Sequence, residues 1–296
     1  DLLAVGLWIL VGNLNTNLAQ RGIDFGYDFL LGPAGFDIAE RAIAYESDSS
    51  YIRAFIVGFL NTLRVAIIGI IVASLLGLLV AVGSLSPNPL LVWLCRQFVE
   101  FIRNVPLLLQ LIFWYLTLAV ILPDTETPAQ LLPQVFLSKN GLQFPWFLAG
   151  DFPSLEYPEM GAFGLVGGAA LSPEFIALLL GLSIYTSAFI AEIIRAGILA
   201  VPKGQTEAAA ALGFTRWQQL RLIVLPQAFR VIIPPTTNQY LNLTKNSSLA
   251  IAIGYPDLVS IATTTLNQSG RAVEAISIIM AVYLSLSLLT SFLMNR

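Results

Sequence analysis

Long stretches of this chain run almost without charge. Between positions 55 and 82 the only ionised side chain is Arg64. Apolar runs of about 20 residues cross a bilayer as helices, because the hydrocarbon offers no partner to an unpaired backbone group. Segments 55–82, 98–122, 173–199, 229–253 and 273–294 have that character, and 2–18 is a shortened sixth. The period-2 alternation of barrel strands is missing. Charged residues make up 11% of the 296 positions and apolar ones 56%, whereas a soluble domain carries roughly 25% charged. The expected class is an all-α integral membrane protein of about six spans, organised as one domain over 1–296. A disordered chain, a disulfide scaffold and an ordinary soluble enzyme are excluded.

Further classes fall away on composition. Cys95 is the one cysteine and histidine is absent. Intramolecular disulfides, His-based acid–base catalysis and His-containing metal sites are therefore not expected. Net charge is −3 with no basic tract, so nucleic acid is not an expected partner. Segment 2–11 has neither a basic flank nor a small-residue cleavage site, and reads as the remnant of a spanning helix rather than a signal peptide.

Charge also orients the spans. Segment 19–51 holds Asp24, Asp28, Asp37, Glu40, Glu46 and Asp48 against Arg21 and Arg41. Segment 123–172 holds Asp124, Glu126, Asp151, Glu156 and Glu159 against Lys139. Arg195, Lys203, Arg216, Arg221 and Arg230 cluster between the fourth and fifth spans instead. By the positive-inside rule that last connection is cytoplasmic, the two acidic loops lie outside, and both termini are cytoplasmic. The outer loop 123–172 is long for a structureless connection. Its Phe144, Pro145, Trp146, Phe147 cluster fits either a lid at the membrane interface or a partner contact.

The cytoplasmic connection 202–226 carries the most information. Pro202 and Gly204 end the fourth span, and Glu207 is placed in the first turn of a short helix, where it complements the dipole. Ala208 to Ala211 are strong helix formers with little bulk, so another surface can come close. Gly213 permits a sharp turn. Thr215 and Gln218 fit a capping box that restarts a helix with Trp217, Leu220 and Val224 on one stripe, closed by Pro226. The residues alone leave two readings open: a docking element, or an amphipathic hairpin covering the protein's own helix ends.

A resemblance to a known family favours the first. Glu207, Ala208 and Ala209, Gly213 after three residues, Ile223 after nine more, then Leu225 and Pro226 resemble the EAA signature of ABC importer permeases. The resemblance extends along most of the chain. GFLNTL from Gly58 is similar to the G-x-x-x-T-L start of polar amino-acid permeases. EFIRNVPLLLQ from Glu100 to Gln110 resembles their E-x-x-R-x-x-P-L-L-x-Q stretch, AEIIRAGI from Ala191 their A-E-x-x-R-x-G-I stretch, and KNSSL from Lys245 their K-x-S-S-L element. The N-terminal span and the acidic loop 19–51 point to the branch serving general L-amino-acid importers.

The resemblance implies a type I importer permease in the bacterial inner membrane whose 202–226 loop forms coupling helices. Implied partners are a pair of ABC ATPase subunits, a second permease of related but different sequence, an extracytoplasmic amino-acid-binding protein and membrane lipid. The chain has no G-x-x-x-x-G-K-[ST] string: the glycines at 197 and 204 are followed by Gln205. ATP and Mg are accordingly expected in the ATPase and no cofactor in this chain.

Polar groups inside spans are costly and usually face a cavity or one another. Asn238, Asn242 and Lys245 fall at i, i+4 and i+7, with Gln239 and Asn246 beside them. Pro234 and Pro235, which lack backbone donors, precede them and are expected to break the fifth span. Asn104 and Gln110 in the third span and Glu192 in the fourth complete the candidate substrate path. An amino acid needs cations or amides for its carboxylate and acceptors for its ammonium. The competing reading is glue between permease subunits. Glu192 with Arg195, and Glu100 with Arg103, are spaced to pair near the inner face. Arg64 can snorkel outward or help to gate. An ion-coupled transporter or channel, and a membrane-embedded enzyme, are the rival classes. The first would need no ATPase, and the second lacks paired carboxylates within a span.

Overall fold

The computed structural model describes residues 26–148, 154–161 and 164–294, with eight positions between 5 and 17. The expected span 2–18 lies outside the continuously described residues. Helix α1 (Tyr51–Ser84) is 34 residues long, about 51 Å at 1.5 Å per residue, enough to cross the hydrocarbon with some tilt. Its buried face is a row of small side chains, Ala54, Gly58, Ala66, Ala73, Gly77 and Ala81. That row lets the partner helix α4 (Pro173–Leu199) come close, as membrane helices without a hydrophobic driving force require. An ideal Cβ on Gly77 would stand 2.8 Å from Ile190 Cβ and 3.0 Å from the Ser187 carbonyl oxygen.

The expected span 98–122 is two helices. Asn88 accepts from the Leu90 amide at 3.0 Å and caps α2 (Pro89–Asn104). Helix α3 (Leu107–Ile121) then leaves at 103° to it. The cause is Pro106, which forces Val105 into extended backbone (φ −94°, ψ 127°). Gln110 turns back and donates to the Ile102 and Val105 carbonyls at 2.9 and 3.0 Å, satisfying acceptors that the bend sets free.

The described residues of segment 123–172 are folded. Strands β1 (Ala129–Leu132), β2 (Val135–Ser138), β3 (Gly141–Phe144) and β8 (Ala169–Leu171) form an antiparallel sheet in the order β1-β2-β3-β8. Two hairpins hang from it, β4 (Trp146–Leu148) with β5 (Ser154–Glu156) and β6 (Glu159–Gly161) with β7 (Gly164–Val166). Trp146 sits edge-on to Phe144, ring centroids 5.9 Å apart, and Trp146 and Phe147 stay exposed. The helical architecture therefore carries a small β structure at one end.

That end is tied together by Glu40, buried at 8% exposure. Its carboxylate accepts from Arg64 of α1 at 2.9 Å and from the Ser172 amide and hydroxyl at the start of α4. Arg64 is also 4.8 Å above the Phe175 ring, so it is a structural latch rather than a snorkelling cation. Burial pushes the Glu40 carboxyl above its ordinary value, against the opposing pull of Ser172 and Arg64.

Helix α4 runs to the other end, where α5 (Lys203–Ala211) and α6 (Arg216–Gln219) make a hairpin. A π-turn (Leu220–Val224) leads into α7 (Leu225–Asn246). Pro234 and Pro235 do not break α7, contrary to expectation. The carbonyls they release belong to Arg230 and Val231, which are exposed on the outer face of the helix. The interruption comes later, where Ser247–Ile253 tightens into a 3₁₀ helix that ends at Gly254 with φ +81°. Helix α8 (Leu258–Ser269), capped by Asp257, and α9 (Ala272–Met294) complete the chain. Among the described residues α1, α4 and α9 can each cross a bilayer alone, and the bent pairs α2 with α3 and Arg216–Ile253 with α8 bring the number to five.

Candidate functional site

Local chemistry specifies the 202–226 hairpin almost completely. Helix α5 ends in a Schellman motif: Gly213 donates to the Ala210 carbonyl and Phe214 to the Ala209 carbonyl, both at 3.0 Å, with Gly213 at φ +81°. One residue later Thr215 opens α6 with the expected capping box. Its hydroxyl accepts from the Gln218 amide at 3.4 Å, and Gln218 Oε1 accepts from the Thr215 amide at 2.8 Å. Gln219 closes the turn by donating to the Phe214 carbonyl at 2.9 Å.

Two details differ from the sequence expectation. Pro226 does not close the second helix: it lies in the first turn of α7, and the helical run from Arg216 continues through it. Helix α5 starts at Lys203, so Glu207 falls in its second turn and its charge does little for the dipole, which acts over the first turn. Glu207 and Ala208 are exposed, Ala209 is buried against the hairpin, and Gly213 and Pro226 are exposed. Ile223 and Leu225 are half-buried where the hairpin joins α7. Leu212, Trp217 and Leu222 are 76%, 65% and 56% exposed, while Val224, at the far end of the Trp217 stripe, is buried. The hairpin thus packs one edge against its own chain and presents a carboxylate, small alanines and large apolar side chains outward.

The candidate path residues separate. Asn238, Asn242 and Lys245 form one exposed stripe on α7, with Gln239 and Asn246 half-buried at its border. The neighbouring Tyr240 hydroxyl and Ser74 lie 2.8 Å apart and fix α7 on α1. Asn104 is exposed at the α2–α3 bend. Gln110 is buried with its amide nitrogen committed to the two bend carbonyls, a role that Pro106, four residues earlier, would have signalled. Glu192 is held by Arg195 through two bonds, 2.8 and 2.6 Å, as its i, i+3 spacing predicts. Glu100 and Arg103 form no ion pair among the described residues, because Arg103 stacks 5.1 Å from the Phe189 ring of α4. The described residues contain no group of three metal-ligating side chains.

Residues 73–296 match the family described as binding-protein-dependent transport system inner membrane component. The chain is 43% identical over 346 aligned residues to the general L-amino acid transport system permease protein AapQ of Rhizobium johnstonii, covering 98% of this chain and 86% of that one. It is 42% identical to the putative amino-acid ABC transporter permease protein YhdX of Escherichia coli, covering 97% and 88%. A crystal structure of an amino acid ABC transporter with histidines superposes with a TM-score of 0.61 at 28% identity, covering 83% of this chain and 92% of that one. The chain thus belongs to the inner-membrane permease components of binding-protein-dependent ABC transport systems.

Proposed function

We propose that this chain is the translocation subunit of an ATP-driven importer that carries amino acids from an extracytoplasmic binding protein into the cytoplasm. The carrying observation is the hairpin of α5 and α6. Its turn is held by its own caps, yet Glu207, Ala208, Leu212 and Trp217 are left exposed. Such a surface fits the groove of an ATPase subunit, and ATP and Mg are bound there rather than here. A ligand shifts a conformational equilibrium only by its differential affinity for the two states. The ATPase must therefore hold the hairpin differently in its nucleotide-bound and nucleotide-free forms. The rigid caps transmit that difference to α4 and α7, whose ends the hairpin joins.

The α7 stripe supports a paired permease. Asn238, Asn242 and Lys245 on a bilayer-embedded helix would be costly against lipid. They face either the substrate path or a second permease across it, a related but different chain. Within the path Asn242, Lys245 and Asn246 offer donors to a carboxylate, and Asn104 stands at the α2–α3 bend. Gln110 and Glu192 act from behind, one holding the α2–α3 bend and the other fixing Arg195. The acidic outer segment and the β structure face the binding protein, with both termini inside.

The test is reconstitution. Proteoliposomes containing the permease pair, the ATPase and the binding protein are expected to accumulate labelled amino acid only with ATP inside. Uptake by the permease alone under an ion gradient would support a secondary transporter instead.

A further inference from the structure

Two sequence stretches far apart in the chain, from Glu100 and from Ala191, meet at one cavity that the coupling hairpin and the α7 stripe do not use. Arg96, Glu100 and Arg103 fall at i, i+4 and i+7 on one face of α2. That face turns toward Glu192 and Arg195 of α4, with Ser84 at the end of α1 beside them. The cavity they enclose is about 390 Å³, within the roughly 300 to 1,000 Å³ of small-molecule sites. The opposite face of α2 is apolar and exposed, with Leu90, Leu94 and Phe101, so the helix keeps its charges on the cavity side.

The charges do not cancel among themselves. Arg195 takes both oxygens of Glu192. Glu100, Arg96 and Arg103 have no ion-pair partner among the described residues, and Arg103 is steadied by the Phe189 ring. What is left to a ligand is two guanidinium groups and one carboxylate. A guanidinium binds a carboxylate through paired hydrogen bonds, and a carboxylate binds an ammonium. We propose that this cavity is a binding site for a free amino acid at the coupling-hairpin end of the permease, with acidic amino acids held best. The two arginines take the two carboxylates and Glu100 takes the ammonium. The proposal rests on the amino-acid reading above.

The experiment uses the assembled permease–ATPase complex in nanodiscs, without the binding protein, and measures equilibrium binding of L-glutamate, L-glutamine and glutarate. Glutamate is expected to bind at least tenfold more tightly than glutamine. Arg96→Gln is expected to weaken glutamate at least tenfold. Glu100→Gln is expected to weaken glutamate while leaving glutarate, which has no ammonium, unchanged or tighter. Both positions are exposed and unpaired, so these variants keep the fold, and the ligand comparison on the unaltered complex needs no variant. Equal binding of glutamate and glutamine, or glutamate binding indifferent to both substitutions, overturns the site. ATP-driven uptake by the same complex with the binding protein separates the two levels. Absent uptake overturns the functional reading, whereas uptake with unaffected or absent glutamate binding overturns the cavity assignment alone.

Discussion

Gly213 isolates backbone geometry from packing. Its φ is +81°, and no atom lies within 4 Å of where a Cβ would project. A side chain there costs conformational energy and meets no clash within its own chain. For an L-residue the left-handed region costs roughly 1 to 2 kcal/mol, least for Asn and most for a β-branched residue. An energy of about 1 to 2 kcal/mol lowers a population 5- to 30-fold. In a hairpin held by its own caps, that is the population available to an ATPase. ATP-driven uptake in proteoliposomes is therefore expected to rank Gly213, then Gly213→Asn, then Gly213→Ala, then Gly213→Val. Insertion and the yield of folded permease should stay constant across the series. Wild-type uptake by Gly213→Val would refute the geometric argument. Asn performing as poorly as Val would show that the bulk of any side chain, rather than backbone strain, is what the partner rejects.

Three further outcomes follow from the packing. Gly77→Ala pushes a methyl against Ile190 and the Ser187 carbonyl, neither of which can retreat, and should cost about 1 to 3 kcal/mol, read as a lower Tm in detergent. Arg64→Met leaves the buried Glu40 carboxylate without its cation and should lower the pH 7 Tm sharply, by up to roughly 3 to 5 kcal/mol of stability, with a smaller loss at acid pH. Glu40 keeps its proton to higher pH when folded than when unfolded, so its contribution is greatest at low pH and declines as pH rises from its ordinary 4.5 through the raised folded value. Glu40→Gln should flatten the Tm-against-pH curve over that window, and an unchanged slope would contradict the burial argument.

What could be read without coordinates was local. Gly213, Thr215 and Gln218 specify a turn and a cap within six residues, and those bonds are present. The spans were legible because length and lack of charge decide the matter for a helix in lipid. Pro106 was visible too, but the apolar run from 98 to 122 masked the bend it imposes. Pro234 and Pro235 misled in the other direction. A helix anchored through Tyr240 to Ser74 tolerates two lost donors when the freed carbonyls face outward. The β structure escaped because its strands are three or four residues long, too short for an alternation signal. Contacts that join distant segments, such as Glu40 to Arg64 and Ser172, or Arg103 to Phe189, leave no trace in spacing.

The central claim is that the hairpin of α5 and α6 is seated on an ATPase and moves with its nucleotide state. A photoactivatable cross-linker attached at Ala208→Cys, in a Cys95→Ser background, tests it inside the assembled, transporting complex. The account predicts an adduct with the ATPase subunit whose yield changes when ATP binds. Adducts confined to this chain, or an ATPase adduct indifferent to nucleotide while uptake continues, would contradict it.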